Sequence, residues 1–463
     1  MLADRVRRRP LFVALGVIVT ATLVAVGVRC VVKRSQPPAW TCGTGAMIPH
    51  TLHVKLRAVA DASMISALQG AWWAQVEPLF ETPATDARGR WIKVDTYDLA
   101  AFMAQVPYNA NIEEVVEVPE TSLPRMPVVG DRVAVREDGE SCPITTPSFE
   151  SYQGYLGPAP HGIDAPAAWR RGQRGGGVWF ADIEGGWNDK HEDLPGERIT
   201  HAGGRPIPDW SWRAHGTAVL GEVVGKDNGK GVVGIAPDVE RVFTSSIGGT
   251  SVANAIDVAA RRLRPGDVLL IELQSSGPRG AWIAVEYWND VFDAIKAATD
   301  RGVVVIEAAG NGYEDLDHRA YGGRFDRSKR DSGAIVVGAG APPRAGFVDR
   351  EKLDFSNYGS RVDVQGWGRK VATLDYGDLQ DCSTTSEADR HYTGEFSGTS
   401  SASPIVAGAA VILEGVARSK GGIITPKNLR ELLRQTGTPQ AGDTTKHIGP
   451  RPDLARALRE LDR

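Results

Sequence analysis

A parallel β-sheet covered by helices on both faces is the fold class this sequence predicts, and three observations predict it. From Ile163 onward, short apolar strand-like runs alternate with helical patterns, as in chained β-α-β units. Of the 463 residues, 42% are apolar, which suffices for a full globular core. The 53 glycines exceed the usual share and imply tight turns and close backbone approaches, as in an α/β protein whose site is built from loops. At one domain per roughly 150 residues, the length suggests two or three domains. A net charge of −4 excludes a nucleic-acid partner, because phosphate binding needs a basic face.

The first segment, residues 1–34, stands outside the fold. Arg5, Arg7, Arg8 and Arg9 precede an apolar run over 10–28, and Arg29, Lys33 and Arg34 follow it. The run is long enough to span a bilayer, and no A-x-A cleavage site follows. Arg29 before Cys30 does not suit a lipoprotein site. The segment is read as an uncleaved signal anchor with its arginines in the cytoplasm, a cleaved secretory peptide being the alternative. Either exports the rest of the chain, as membrane-anchored or secreted protein. Of the four cysteines, Cys30, Cys42, Cys142 and Cys382, none forms a C-x-x-C pair. Cys42 with Cys142, leaving Cys382 free, and Cys142 with Cys382 both remain open.

A small α+β module is expected over 48–120, with strands at 53–57, 91–96 and 113–118 and helices at 64–73 and 99–105. Residues 121–158, rich in Pro, Ser, Thr, Gly and charge, read as a linker with a processing site. The α/β domain then occupies 159–463, with strands at 177–183, 239–244, 267–273, 303–307, 334–338 and 362–364. The glycines at 172–177 precede a strand, and those at 225–231 lack a following Lys-Ser/Thr, so neither is a nucleotide-binding loop.

Four segments carry chemistry. Ser397-Gly398-Thr399-Ser400 opens a small, apolar run from Ser401 to Leu413. A serine at such a helix start is placed for attack, with free N–H groups and the positive dipole end beside it. His215-Gly216-Thr217 sets a histidine at another helix start. Ala308-Ala309-Gly310-Asn311-Gly312 ends a strand on an Asn able to donate to an oxyanion. The strand over 177–183 runs through Asp182 to Glu184-Gly185-Gly186 and is followed by His191-Glu192-Asp193-Leu194, which offers an acid to His215. Each alone is as well explained by an N-cap serine, a structural histidine, a turn Asn-Gly or a solvated acidic loop.

Together and in this order they resemble the subtilase family, whose chain order is acid, His, Ser. Gly-Thr-Ser-x-Ala-x-Pro around Ser400 is similar to its nucleophile motif, His-Gly-Thr at His215 to its base motif, and Ala-Ala-Gly-Asn at Asn311 to its oxyanion motif. Phe355-Ser356-Asn357-Tyr358-Gly359 with Val362-Asp363-Val364, and Gly231-Val232-Val233-Gly234-Ile235-Ala236-Pro237, resemble further family segments. The resemblance spans roughly residues 160–460 and implies a subtilisin-like fold and serine endopeptidase chemistry on polypeptides, with no cofactor needed for catalysis.

It also implies roles. Ser400 is the nucleophile, His215 its general base, and Asn311 an oxyanion donor. The family's acid position aligns with Glu184 rather than an Asp. Asp182 is the alternative acid, about 6–7 Å deeper on the same strand face. Glu272 and Gln274 stand where the family's substrate strand has small residues. The module at 48–120 is similar in size and place to the family's inhibitory propeptide. The acidic stretch Glu314, Asp315, Asp317 would suit a structural calcium ion, although as a solvated loop it needs none. The altered acid and the polar substrate strand leave one rival from another class, an inactive fold serving as an exported binding or scaffold protein.

Overall fold

The computed structural model describes residues 41–42, 45–46, 50–72, 74–81, 85–122, 143–382 and 388–463. The anchor or signal segment expected over 1–34, with Cys30 and Cys142, lies outside the described residues. After a two-residue ladder of β1 (Thr41–Cys42) and β2 (Gly45–Ala46), the N-terminal module begins. It contains β3 (His50–Leu56), α1 (Ala62–Trp72), β4 (Gln75–Pro78), β5 (Trp91–Thr96), α2 (Leu99–Gln105) and β6 (Ile112–Glu117). The four strands form one antiparallel sheet in the order β4-β5-β3-β6.

Strand alternation gives that sheet two faces. Leu52, Val54 and Leu56 of β3 and Ile92 and Val94 of β5 face the module's own core with Leu68 and Phe102. The intervening residues His53, Lys55 and Trp91 face the rest of the chain, where His53 pairs with Asp290 at 2.5 Å, and Lys55 Nζ and Trp91 Nε1 both donate to Asp293.

Past β7 (Thr121–Ser122) and the short helix α3 (Ala165–Trp169), the large domain alternates strands and helices. They are β8 (Trp179–Glu184), β9 (Ile199–Gly203), α4 (Trp210–Val224), β10 (Arg241–Ser246), α5 (Val252–Ala260), β11 (Val268–Ile271), β12 (Gln274–Ser276), β13 (Trp282–Ala284), α6 (Asn289–Asp300), β14 (Val304–Ala308), β15 (Ile335–Gly340), β16 (Val364–Trp367), β17 (Val371–Leu374), β18 (Tyr392–Phe396), α7 (Thr399–Ser419), α8 (Pro426–Thr436) and α9 (Leu454–Leu461). Seven strands pair in parallel in the order β16-β15-β14-β11-β8-β10-β9. Within β11, Val268 and Leu270 face α4 and α7, while Leu269 and Ile271 face α5 and α6. A strand covered on both sides reads as a continuous apolar run for this reason. Among the described residues one helix is long and apolar enough to cross a membrane, α7, and 94% of its apolar window is buried in the protein; it is the central helix of the core.

Several expectations shift. The strand expected over 267–273 stops at Ile271; after Glu272 and Leu273 the chain joins a second, three-stranded sheet, β13-β12-β7. The edge strands β9 and β4 had no apolar run to announce them, because an edge strand is half exposed. The linker boundary at 158 is corrected. Phe149, Tyr155 and Leu156 are buried in the main core, and Phe149 N–H and Gly231 N–H bond Gly231 O and Pro147 O at 2.6 and 2.8 Å. The large domain therefore begins some ten residues earlier than expected, because Ser148 bridges to the segment after α4. Cys382 is disulfide-bonded, which rules out the arrangement that left it free.

Candidate active site

In a parallel sheet all carboxyl ends lie along one edge, where loops build sites. Glu184 closes β8, the segment 309–312 follows β14, and α4 and α7 begin nearby with His215 and Ser400 in their N-terminal halves. Asp209 caps α4 by accepting the Ser211 N–H at 2.8 Å. Gly216 lets α4 approach the acid loop, since a Cβ there would lie 2.3 Å from Gly186 O.

Glu184 is wholly buried, and its Oε1 hydrogen-bonds His215 Nδ1. Asp182 is also wholly buried, but its Oδ2 accepts from Trp187 Nε1 at 2.7 Å. Of the two acids, Glu184 is therefore the one joined to His215. The imidazole packs edge-on to Phe396, with ring centroids 5.4 Å apart. His215 Nε2 and Ser400 Oγ are both buried, and neither has a hydrogen-bond partner among the described residues.

Ser400 is the second residue of α7, and Gly398 caps that helix at φ 111°, ψ 179°, a region essentially reserved for glycine. Pro404 lies inside the helix and has no N–H to give the Ser400 carbonyl. The turn is held instead by Ser403 Oγ, which donates to Thr399 O at 2.7 Å. Asn311 Oδ1 accepts from Thr399 N–H and Oγ1, both at 2.9 Å. That leaves the Nδ2 hydrogens of Asn311 as donors. The Asn311 N–H is bound to Gln274 Oε1 at 2.9 Å.

Burial works against a lone charge on either partner of the acid–base pair. It pushes the Glu184 carboxyl well up, opposed only by the Gly185 N–H, and holds the His215 imidazole down, to about 3. A neutral imidazole with its Nδ1 turned to a carboxyl is the state that accepts a proton at Nε2. Three further carboxyls are buried around the pair. Asp182 is raised by burial and by Glu184, Glu222 by burial, and Glu272 by burial and by Glu184, Asp182 and Glu222. Glu272 is wholly buried, and Gln274 reaches the 309–312 segment through the Asn311 N–H.

The sequence named Ser400, His215, Asn311 and both acids. It did not reveal that Thr399 orients Asn311 or that Trp187 holds Asp182, since neither contact has a spacing signature. In the acidic stretch, Asp317 accepts from Ser360 N–H and Oγ, at 2.7 and 2.6 Å. Glu314 accepts from Tyr321 and Arg279. Among the described residues no group of three or more His, Cys, Asp or Glu could hold a metal ion.

Comparison with known proteins adds five findings. A family model described as the subtilase family matches residues 187–449; the match includes His215, Asn311 and Ser400 and begins after Asp182 and Glu184. The chain is 26% identical over 269 residues to the major intracellular serine protease of Bacillus subtilis (strain 168), covering 54% of this chain and 73% of that protein. It is 27% identical over 289 residues to subtilisin Savinase of Lederbergia lenta, covering 60% and 89%. Among solved structures it resembles fervidolysin of Fervidobacterium pennivorans, a keratinolytic enzyme related to subtilisin, with TM-score 0.61 and 20% identity over 90% of this chain and 62% of that one. It also resembles the epidermin leader peptide processing serine protease of Staphylococcus aureus, with TM-score 0.62 and 16% identity over 90% and 99%. At these identities the structural likeness is one of fold.

Proposed function

Since the chain belongs to the subtilase family of serine-type endopeptidases, we propose that it hydrolyses peptide bonds of polypeptides through an acyl-enzyme on Ser400. Ser400 Oγ attacks the carbonyl, and His215 Nε2 takes its proton and later gives it to the leaving amine. Glu184 orients the ring and stabilises its charged form. Asn311 Nδ2 and the Ser400 N–H hold the oxyanion, and water then releases the acyl group.

One observation carries this function: a buried His215–Glu184 hydrogen bond beside a helix-start serine, with His215 Nε2 and Ser400 Oγ both buried and otherwise unbonded. The test is a fluorophosphonate probe on the folded, processed protein. Covalent labelling at Ser400, lost together with casein hydrolysis in Ser400→Ala, is the expected result. No labelling would leave the scaffold alternative in its place.

The module at 48–120 acts as the inhibitory propeptide of this enzyme. In its support, β7 continues from the module and pairs antiparallel with β12, Ser122 opposite Gln274, and Ser276 N–H donates to Glu120 O at 3.0 Å. An extended chain added to a strand edge is how a polypeptide substrate would dock. Processing in the part of the 121–158 segment that precedes Pro147 then frees the enzyme, and the 1–34 segment exports it as an anchored or secreted protein. A reporter enzyme fused after Pro38 should be active only outside the cytoplasm.

A further inference from the structure

We propose that Gln274 is a positioning residue, tying the strand that receives the substrate to the group that holds the oxyanion. This rests on Ser400 and Asn311 acting as proposed above.

Gln274 opens β12 and is 1% exposed. Its backbone lies between two strands, opposite Ser122 of β7 and Ala284 of β13. Its side chain leaves that sheet and accepts the Asn311 N–H. The loop after β14 has four consecutive N–H groups to place. Gly312 and Glu314 donate to Asn357 Oδ1 at 3.0 and 2.8 Å, and Tyr313 donates to Phe355 O at 2.9 Å. These three fix the loop to the 355–357 segment. The fourth, on Asn311, is fixed to the substrate strand instead.

Asn311 is thus held at two points, its backbone by Gln274 and its carboxamide oxygen by Thr399 at the start of α7. Together these set where Nδ2 points. The small residues usual at this place in the family have no atom that would reach Asn311. Here a substrate pairing with β12 engages the same residue that steadies the oxyanion donor.

The contribution belongs to the transition state, because the oxyanion donor tightens only as charge develops. Gln274→Met keeps the length and removes the acceptor, leaving the Asn311 N–H unpaired. In the processed enzyme kcat should fall about 10- to 100-fold, below the roughly 10²–10³ that a lost donor costs. KM should stay within about threefold, and a peptide boronate should bind more weakly by the same factor as kcat. In an Asn311→Ala background the Met change should cost no further turnover, because Gln274 acts through Asn311. A Met variant as fast as the parent, a loss confined to KM, or losses that multiply fully with Asn311→Ala would each overturn the proposal.

Gln274→Glu keeps an acceptor oxygen at the same reach and serves as the conservative rescue. Whatever the buried carboxyl does to its melting temperature, it should retain the slow hydrogen exchange of the 309–314 backbone that the Met variant loses. Fast exchange there in an otherwise stable Glu variant would also overturn the proposal. A folded parent that no fluorophosphonate labels removes the peptidase function itself and this inference with it. A labelled, active parent with an indifferent Met variant removes this inference alone.

Discussion

Glu184 and Asp182 sit one strand repeat apart on the same face of β8, so reach decides which of them meets His215. Glu184 ends the strand where the chain turns, and its extra methylene carries the carboxyl to Nδ1. Asp182, a repeat deeper, is occupied by Trp187 Nε1. Glu184→Gln should therefore lower kcat by about 10⁴-fold, as the isosteric change does in other serine–histidine–acid triads. Asp182→Asn keeps an acceptor for Trp187 and should cost less than about tenfold. Steady-state kinetics on both variants, with folding checked by thermal melting, decides this, and the reverse ranking would shift the acid by two residues. The glycine at 398 makes a second residue-scale prediction. At φ 111°, Gly398→Ala should cost about 1–3 kcal/mol of stability and slow labelling of Ser400. An alanine variant equal to the parent in melting and labelling would refute it.

Among the elements, the loop between β8 and β9 carries its own titrating group. His191 is 1% exposed; its Nδ1 accepts the Asp193 N–H at 3.3 Å and its Nε2 donates to His391 O at 2.9 Å. Both nitrogens are used in the neutral ring, and burial holds its pKa down to about 4. The unfolded chain protonates this side chain at about 6.5. Between those values the unfolded state binds a proton that the folded state refuses, so stability is full above about pH 6.5 and falls as pH drops toward 4. The loss from this residue is about 3 kcal/mol. In urea unfolding of the Ser400→Ala protein, the stability gap between parent and His191→Gln should narrow by about that much from pH 7 to 4. A gap that stays constant with pH would show that His191 is not the group.

For the molecule as a whole, the decisive contact is between the N-terminal module and helices α5 and α6. Leu79, Phe80, Trp91 and Val116 of the module enter the same apolar cluster as Ile256, Val291 and Ile295. Around them lie the buried His53–Asp290 pair, Arg88 on Asp257 and Asn289 on Glu114. The isolated module should inhibit the mature enzyme in trans. His53→Ala would leave the Asp290 carboxylate without that partner in the buried contact, and should raise the inhibition constant about 30-fold or more, the equivalent of losing about 2 kcal/mol. Equal inhibition by both forms, or none by either, would give the module another job.

Much of this was legible along the chain. The parallel sheet showed itself because strands buried on both faces read as unbroken apolar runs, and β5 and α2 fall where the pattern put them, at Trp91–Thr96 and Leu99–Gln105. Ser400, His215 and Asn311 stood out because each lies in a short motif whose chemistry is local, although His215 is the sixth residue of α4 and not at the helix start that the motif suggested. The half-exposed edge strands β4 and β9, and the core packing of Phe149 to Leu156, were not legible, because their signals are weak or depend on distant partners. The resemblance put Glu184 at the acid position with Asp182 as the alternative, but the contact that Glu184 makes with His215, and what Gln274 and Thr399 do to Asn311, were set only by tertiary structure. Those contacts join residues 31, 37 and 88 positions apart, and hydrogen-bond geometry at that separation is set by how β8, β12, β14, α4 and α7 pack, not by any spacing in the sequence.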